Sequence, residues 1–336
     1  MQRFIENMPK AELHVHIEGT LEPELSFALA KKNKVELSYE TPEALISAYD
    51  FNDLPSFLTI YYAGMNVLIE EDDFYQLTYD YLNKARSQEI LYVEIFFDPQ
   101  AHTVRGVSFD TVITGIHKAQ IDAERELGIK SQLIMCFLRD MSAESAMQHL
   151  LLATPHLDWL IGVGLDSDER NNPPSKFYDV FSEAKKLGLK LTMHCDVNQK
   201  NTLVHIKQCI NEVKVDRIDH GINALESEAL CKLIKENKLG LTVCPVSNQF
   251  VVQSLTSDEI HQMLEKDILV TINSDDPAYF RAYLNENLIK LQKEGSFSQD
   301  QIVTMVENSF KVAWLDDEIK GNYLNKLKRY VSEYKQ

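Results

Sequence analysis

The sequence is poor in the features that mark secreted, disulfide-stabilised or membrane-spanning proteins. It contains five cysteines, an odd number with no CxxC pair, which argues against a disulfide framework or a structural zinc knuckle. No window approaches the roughly 18 unbroken apolar residues of a membrane span. The N-terminal segment MQRFIENMPKAE lacks the apolar core of a secretion signal. We therefore expect a cytoplasmic protein that does not bind membranes.

Positive charge is also scarce. The chain has 34 Lys and Arg residues against 51 Asp and Glu residues, which gives a formal net charge of −17. A protein this acidic repels the phosphate backbone, so nucleic acid is excluded as a partner over any broad face. We expect a small-molecule partner, while the oligomeric state stays open.

Several catalytic and nucleotide-binding motifs are missing. The sequence has no GxxxxGK[ST] loop, no GxGxxG after its first apolar run and no GxSxG nucleophile elbow. The HxE…PCxxC pattern of the small zinc nucleobase deaminases is absent too. These absences argue against P-loop, dinucleotide-binding and serine-hydrolase chemistry.

What the sequence does contain is a repeated alternation of apolar runs and amphipathic, helix-like stretches. The runs are rich in Val, Ile and Leu, as expected for parallel strands buried on both faces. There are eight of them: 11–17, 90–98, 132–138, 159–166, 189–197, 215–221, 240–246 and 268–276. This pattern predicts an α/β fold, a (β/α)8 TIM barrel, with an open doubly wound sheet as the alternative.

One connection is much longer than the others. About seventy residues separate the first two runs, far more than the usual loop between a strand and a helix. We predict a single barrel domain over residues 1–336, with a helical insertion at about 18–89 and C-terminal helices at about 298–335. The insertion follows the strand with the paired histidines, so it is a candidate lid over the barrel mouth, extra packing on the outside being the alternative.

Histidines and aspartates stand at the ends of several predicted strands. In the first, LHVHI, His14 and His16 share one face because side chains alternate along a strand. Later strands end in MHCDV, RIDHG and INSDD, and these segments supply His194, His220, Asp275 and Asp276. A barrel gathers all these ends at one mouth.

Imidazoles and a carboxylate at one mouth suit a divalent ion. Three histidines with one aspartate favour zinc, and Fe²⁺ or Mn²⁺ are the alternatives. The predicted fourth strand, WLIGVGLD, has no lysine that could be modified to bridge two metals, so we expect one ion per chain. Such an ion lowers the pKa of a bound water toward neutrality, which indicates hydrolysis at an electrophilic carbon.

At these residues the sequence resembles the adenosine deaminase superfamily, and within it the adenine deaminase branch. The resemblance runs along nearly the whole chain, through PKAELHVHIEGTLEPE, FNDLPSFLTIYYAGM, VEIFFDPQAHTVRGV, GVGLDSDERNNPPSKF, DRIDHGINALE, LTVCPVSNQ and VTINSDDPAYF. It implies a zinc-dependent hydrolysis of adenine to hypoxanthine and ammonia, by attack of metal-bound hydroxide at C6.

The resemblance also implies roles for individual residues. The ion would be held by four ligands, namely His14, His16, His194 and Asp275. His220 would orient the attacking water and help to deprotonate it, and Asp276 would hydrogen-bond to N7 of the purine. Glu18 stands where nucleoside deaminases carry a ribose-contacting aspartate. Ser167 and Asp168 stand where the other edge of the purine is held.

One segment departs from the family pattern. The family reads HAGE after the fifth strand, and that glutamate protonates N1 of the ring, whereas this chain reads HCDVNQ. Straight counting puts Val197 at the glutamate position, so Asp196 becomes the candidate acid, with a loop-capping role as its alternative. The departure leaves two further functions open: deamination of another 6-substituted purine or related heterocycle, or a zinc-containing purine-binding paralogue without turnover.

Overall fold

The eight predicted strands form one parallel barrel. In the structure, a computed structural model, they follow the sequence order β1 to β8, each bonded to the next. Their bounds are β1 Lys10–His16, β2 Ile90–Phe97, β3 Lys130–Leu138, β4 Leu160–Asp166, β5 Lys190–Cys195, β6 Arg217–His220, β7 Gly240–Val243 and β8 Leu269–Ile272. The TIM-barrel prediction is therefore confirmed, and the open sheet is excluded.

The structure describes residues 1–49, 51, 54–197 and 199–334. Residues 50, 52 and 53 of the predicted insertion lie outside the described residues. So do Asn198 of the HCDVNQ loop and residue 335 of the predicted C-terminal helices.

The barrel closes where the segment after β8 meets β1. Val15 and Asp275 form an isolated parallel bridge. The Asp275 N–H donates to the carbonyl of His14 at 3.1 Å, and the His16 N–H donates to the carbonyl of Asp275 at 3.0 Å. The closing backbone contact thus joins three of the residues predicted to bind the ion.

Helices surround the barrel and connect its strands. Some of them have capped ends: the helix Phe109–Leu127, for example, begins after Ser108, whose hydroxyl accepts the Thr111 N–H, and ends at Gly128 in the left-handed conformation. The helices are α1 Gln2–Asn7, α2 Pro23–Asn33, α3 Pro42–Ser47, α4 Leu54–Gly64, α5 Glu71–Ser87, α6 Pro99–Thr103, α7 Phe109–Leu127, α8 Ala143–Leu152, α9 Tyr178–Lys186, α10 Thr202–Gln208, α11 Glu228–Glu236, α12 Pro245–Val252, α13 Ser257–Glu265, α14 Pro277–Phe280, α15 Leu284–Glu294, α16 Gln299–Val312 and α17 Asp317–Tyr334. No helix among the residues described combines the length and apolar character that a bilayer crossing requires.

The long connection between β1 and β2 carries helices α2 to α5. Its aromatic side chains form a hydrophobic cluster with the segment after β8, separate from the main core. Phe57 of α4 stacks on Phe280 of α14 with ring centroids 5.0 Å apart, and Tyr61 lies 5.5 Å from Tyr279. The insertion therefore packs at the end of the barrel where His16 and Asp275 lie.

Candidate active site

Four of the predicted residues converge at the carboxyl ends of the strands. The candidate ligand atoms of His14, His16, His194 and Asp275 all lie within 4.8 Å of one another, and all four residues are buried. The Nε2 atoms of His16 and His194 are 3.2 Å apart, and His14 Nε2 is 3.0 Å from Asp275 Oδ1. The four residues come from β1, β5 and the segment after β8, because a parallel barrel brings these strand ends together.

The groups that face the outer nitrogen of each imidazole indicate which ring nitrogen carries the proton. Thr242 donates its hydroxyl proton to Asp219 Oδ1 at 2.8 Å, so it accepts from His14 Nδ1, 2.9 Å away. His194 Nδ1 lies 3.6 Å from Asp219 Oδ2, and His16 Nδ1 lies 3.5 Å from Asp166 Oδ2. Each outer nitrogen therefore faces an acceptor, which favours the tautomer with the proton on Nδ1.

This tautomer leaves lone pairs facing each other at the centre of the cluster. With the protons on Nδ1, the Nε2 atoms of His16 and His194 oppose each other without a hydrogen atom between them. His14 Nε2 opposes a carboxylate oxygen of Asp275 in the same way. Lone pairs at these distances repel unless a cation lies between them, so the donor set fits a divalent ion with nitrogen and oxygen ligands.

The charges in the cluster agree with that arrangement. Burial lowers the pKa of His14, His16 and His194, so their imidazoles are neutral at neutral pH. Burial alone raises the pKa of Asp275, but attraction to a positive charge on the surrounding groups, His14 foremost, outweighs burial, so a cation in the cluster holds this pKa below its usual range. Neutral imidazoles with an ionised carboxylate are the protonation states in which these side chains bind metals.

His220 and Asp196 lie beside the four-residue cluster. His220 Nε2 is 3.4 Å from Asp196 Oδ1 and 3.9 Å from Asp275 Oδ2. Burial raises the pKa of the Asp196 carboxyl to about 7, where His220 opposes the rise and Glu169 adds to it. His220 and Asp275 also have positive φ angles of 59° and 67°. Such strained backbone in non-glycine residues is typical of functional sites.

A small cavity of about 60 Å³ opens directly onto these groups. Its wall combines carboxylates, imidazoles and, from the insertion, aromatic side chains. Its lining includes His16, His194, His220, Asp98, Asp166, Asp196, Asp275, Asp276, Ser167, Val197, Ser247, Asn248, Phe57, Tyr61 and Tyr62. Such a mixture of rings and hydrogen-bonding groups is typical of sites that bind small molecules.

The four residues predicted to contact the substrate lie in different places. Asp276 and Ser167 line the cavity, and Ser167 Oγ accepts the hydroxyl proton of Tyr62 at 2.8 Å. Glu18 is fully buried away from the cavity lining, where its Oε1 is 3.0 Å from the Asp98 N–H and 2.9 Å from His102 Nε2. Asp168 points to Arg170, with its Oδ2 2.6 Å from Nη2. The substrate-binding roles of all four stay predictions.

Asp276 occupies its position because the neighbouring turn carries a glycine. A Cβ atom on Gly19 would lie 2.1 Å from Asp276 Oδ1 and 2.6 Å from Asp276 Cα. Burial, together with the negative charge of Asp275, raises the pKa of Asp276 well above the usual range. The HIEGT turn after β1 therefore sets how closely Asp276 can approach β1.

Sequence reasoning missed several acids around the site. Asp98 and Asp166 both line the cavity, and burial together with the Asp166 carboxyl raises the pKa of Asp98. Both aspartates stand at strand ends, Asp98 directly after β2 and Asp166 as the last residue of β4, so the signal that selected Asp275 could have found them. Asp219 and Glu169 follow no such pattern, because Asp219 lies within β6 and Glu169 in a loop.

Comparisons with known proteins agree with one another. The family model described as adenosine deaminase matches residues 9–330. An uncharacterised deaminase from Schizosaccharomyces pombe is 49% identical, covering 99% of both chains. An adenine deaminase from Psychrobacter cryohalolentis is 47% identical, covering 98% of this chain and 99% of that protein. The crystal structure of an adenine deaminase from Arthrobacter aurescens is 40% identical, with a TM-score of 0.93 over 97% of this chain and 99% of that one.

These matches extend over nearly the entire sequence and the entire barrel. They include the strand ends that carry the buried histidines and aspartates, as well as the long connection after β1. The chain therefore belongs to the adenosine deaminase family and is a hydrolytic deaminase.

Proposed function

We propose that the protein is a zinc-dependent adenine deaminase that converts adenine and water into hypoxanthine and ammonia. The observation that carries this proposal is the buried cluster of His14, His16, His194 and Asp275, with its lone pairs directed inward, at the wall of a cavity of about 60 Å³. The relatives named adenine deaminase supply the choice of substrate.

We propose that these four side chains hold one ion per chain, and zinc suits the three imidazoles and one carboxylate best. When bound, zinc supplies Lewis acidity that lowers the pKa of a water molecule toward neutrality. The remaining chemistry falls to the side chains around the cavity. The histidine of β6, His220, would orient the water and accept its proton as the oxygen adds to C6.

Addition at C6 pushes an electron pair onto N1 of the purine, so an acid must deliver a proton there. Asp196 lines the cavity 3.4 Å from His220 Nε2, and it is our candidate for this acid. The carboxyl of Asp276 would hold N7, which fixes the ring in its plane. Collapse of the tetrahedral carbon then breaks the bond between C6 and the amino nitrogen. The amino group would take up the proton held by His220 and leave as ammonia, while the C6 hydroxyl proton would return to the Asp196 carboxylate.

We propose that the insertion after β1 is a lid on a single barrel domain. Phe57, Tyr61 and Tyr62 of α4 form part of the cavity wall. The hydrogen bond from Tyr62 to Ser167 crosses from the insertion to the loop after β4. Closing this bond over a bound base would exclude bulk water, which would otherwise compete for the donors and acceptors at the ring edge.

A second candidate function follows from the residue next to Asp196. Val197 is apolar, is 4% exposed and lines the cavity at the position where straight counting puts the family glutamate. An apolar side chain there would tolerate an apolar group on the exocyclic nitrogen. The same hydrolysis would then release an alkylamine from a 6-alkylaminopurine instead of ammonia from adenine.

The experiment uses the full chain with its zinc content measured by elemental analysis. Adenine, adenosine, AMP and 6-methylaminopurine are supplied in turn, and the change in ultraviolet absorbance and the amine released are followed. We expect kcat/KM to be highest for adenine. A higher value for 6-methylaminopurine would favour the second function, and no turnover of any of these purines by zinc-loaded protein would leave a binding protein without catalysis.

A further inference from the structure

A buried carboxylate outside the cavity wall holds the backbone of the HCDV segment. Glu169, in the loop after β4, is 0% exposed. Its Oε2 accepts the backbone N–H of Asp196 at 2.8 Å, and its Oε1 is 2.5 Å from His205 Nδ1. Glu169 does not line the cavity that contains Asp196 and His220, so we expect it to act on a substrate there through another residue.

A buried arginine completes the arrangement. Arg139, directly after β3, donates from Nη1 to the carbonyl of His194 at 2.8 Å, and the same atom lies 3.7 Å from Glu169 Oε2. Its own position is fixed by a bond from Nε to the carbonyl of Asn172 at 3.0 Å. The guanidinium balances the charge of the buried carboxylate, which would otherwise be costly to desolvate.

Three consecutive residues therefore have their backbone held by groups from other elements. The carbonyl of His194 accepts from Arg139, and the N–H of Asp196 donates to Glu169. Between them, the carbonyl of Cys195 accepts the Gly221 N–H at 3.0 Å. The end of β5 is fixed at the point where it carries both a candidate metal ligand and the candidate acid.

The short side chain of Asp196 explains why the position of its backbone matters. An aspartate has one methylene fewer than the glutamate of the HAGE pattern, so its carboxyl reaches the purine only if its backbone lies closer to the ring. Because an aspartate side chain has only two torsions, the position of its carboxyl depends closely on the position of its backbone. A shift on the order of 1 Å in a reacting group can cost about 10²-fold in rate.

We propose that Glu169, oriented by His205, is a positioning residue that fixes the backbone of Asp196 so that its short carboxyl reaches N1 of the purine. This inference rests on the proposed deamination. The Glu169 carboxylate accepts two N–H groups at once, one from the acid's own backbone and one from the imidazole of α10.

The main test compares Glu169→Ala with the wild-type enzyme. We expect kcat for adenine to fall on the order of 10²-fold, while KM changes less than about threefold and the zinc content stays at one ion per chain. The matched control is Glu183→Gln, which alters a partly exposed glutamate paired with Lys186 and should leave kcat unchanged. A wild-type kcat in Glu169→Ala, or a loss of zinc together with the loss of rate, would overturn the positioning role.

A second pair of variants covers the case in which Glu169→Ala does not fold. Glu169→Gln keeps the size of the side chain but has one acceptor oxygen for two N–H donors, so it loses one bond. His205→Asn removes the imidazole that orients the carboxylate. We expect intermediate losses in kcat of about 10-fold for each, the effect of one hydrogen bond of ordinary strength. Folded variants with wild-type kcat would contradict the proposal.

A readout that does not need turnover separates this inference from the proposed function. Hydrogen–deuterium exchange of the Asp196 amide should be slow in the wild-type protein and faster in Glu169→Ala, because that substitution removes the acceptor of the amide. If the wild-type protein holds zinc but does not deaminate adenine, the proposed function fails. Unchanged exchange of the Asp196 amide in the variant would refute the positioning role of Glu169, whatever the outcome of the activity assay.

Discussion

Gly19→Ala offers the sharpest test of how the turn after β1 shapes the site. The added Cβ would lie 2.6 Å from Asp276 Cα and 2.1 Å from Asp276 Oδ1. Because 3.4 Å is the lower end of ordinary contact, the two backbone segments must separate by about 0.8 Å, and the carboxyl must swing further. The contact is with backbone, so a change of rotamer cannot relieve it.

The expected result follows from that displacement. Moving the group that would hold N7 by about 1 Å should lower kcat/KM for adenine on the order of 10²-fold. The strain should also lower the free energy of unfolding by about 1–3 kcal/mol. Steady-state kinetics and chemical denaturation measure these two quantities, and the zinc content is determined on the same preparation.

The control for this variant is Gly321→Ala in α17. A Cβ on Gly321 would meet no atom within 4 Å, and the residue lies inside a helix. Alanine there should leave kcat/KM unchanged and raise the free energy of unfolding by about 0.5–1 kcal/mol. If Gly19→Ala retained wild-type kcat/KM, the close approach of Asp276 would have no bearing on catalysis, and our account of this turn would be wrong.

The other predictions concern the acid, the metal site, the lid and the insertion. Asp196→Asn should lower kcat by on the order of 10²-fold or more in steady-state assays, because the amide cannot protonate N1; near-normal activity would exclude the acid role. Asp275→Ala should lose zinc as well as rate, and stoichiometric zinc in that variant would contradict the ligand assignment. Tyr62→Phe, which deletes the bond to Ser167, should raise KM for adenine with little effect on the melting temperature. Hydrogen bonds to Asp73, including one from Lys32, outweigh burial and hold its pKa below the usual value. Its stabilising contribution is therefore present above about pH 4 and lost below it. Asp73→Asn should lower the free energy of unfolding by about 1–3 kcal/mol at neutral pH, measured by denaturant titration at several pH values.

The strands and the central cluster were predictable for a simple physical reason. Parallel strands buried on both faces read as continuous apolar runs, and each run ends where the chain turns at one mouth of the barrel. His16 and His194 stand at such ends and Asp275 follows one, so their meeting followed from the topology. The alternation rule then put His14 on the same face as His16.

The groups that support the site were not predictable in the same way. His205 lies in α10, away from any strand end, yet it is 5% exposed and contacts Glu169. His102 lies in α6 and contacts Glu18, 84 residues earlier in the chain. These partners meet only after helices have packed on the barrel, so their sequence neighbours carry no pattern that selects them.

The closing contact of the barrel has a consequence for stability. The side chains of His14 and Asp275, 261 residues apart in sequence, meet where β1 completes the cylinder. An ion shared by these two would act as a removable cross-link between the two ends of the strand ring. Since binding to the folded state stabilises by mass action, chelation should lower the temperature at which the whole barrel unfolds. The candidate metal site would then also stabilise the closure of the barrel between β8 and β1.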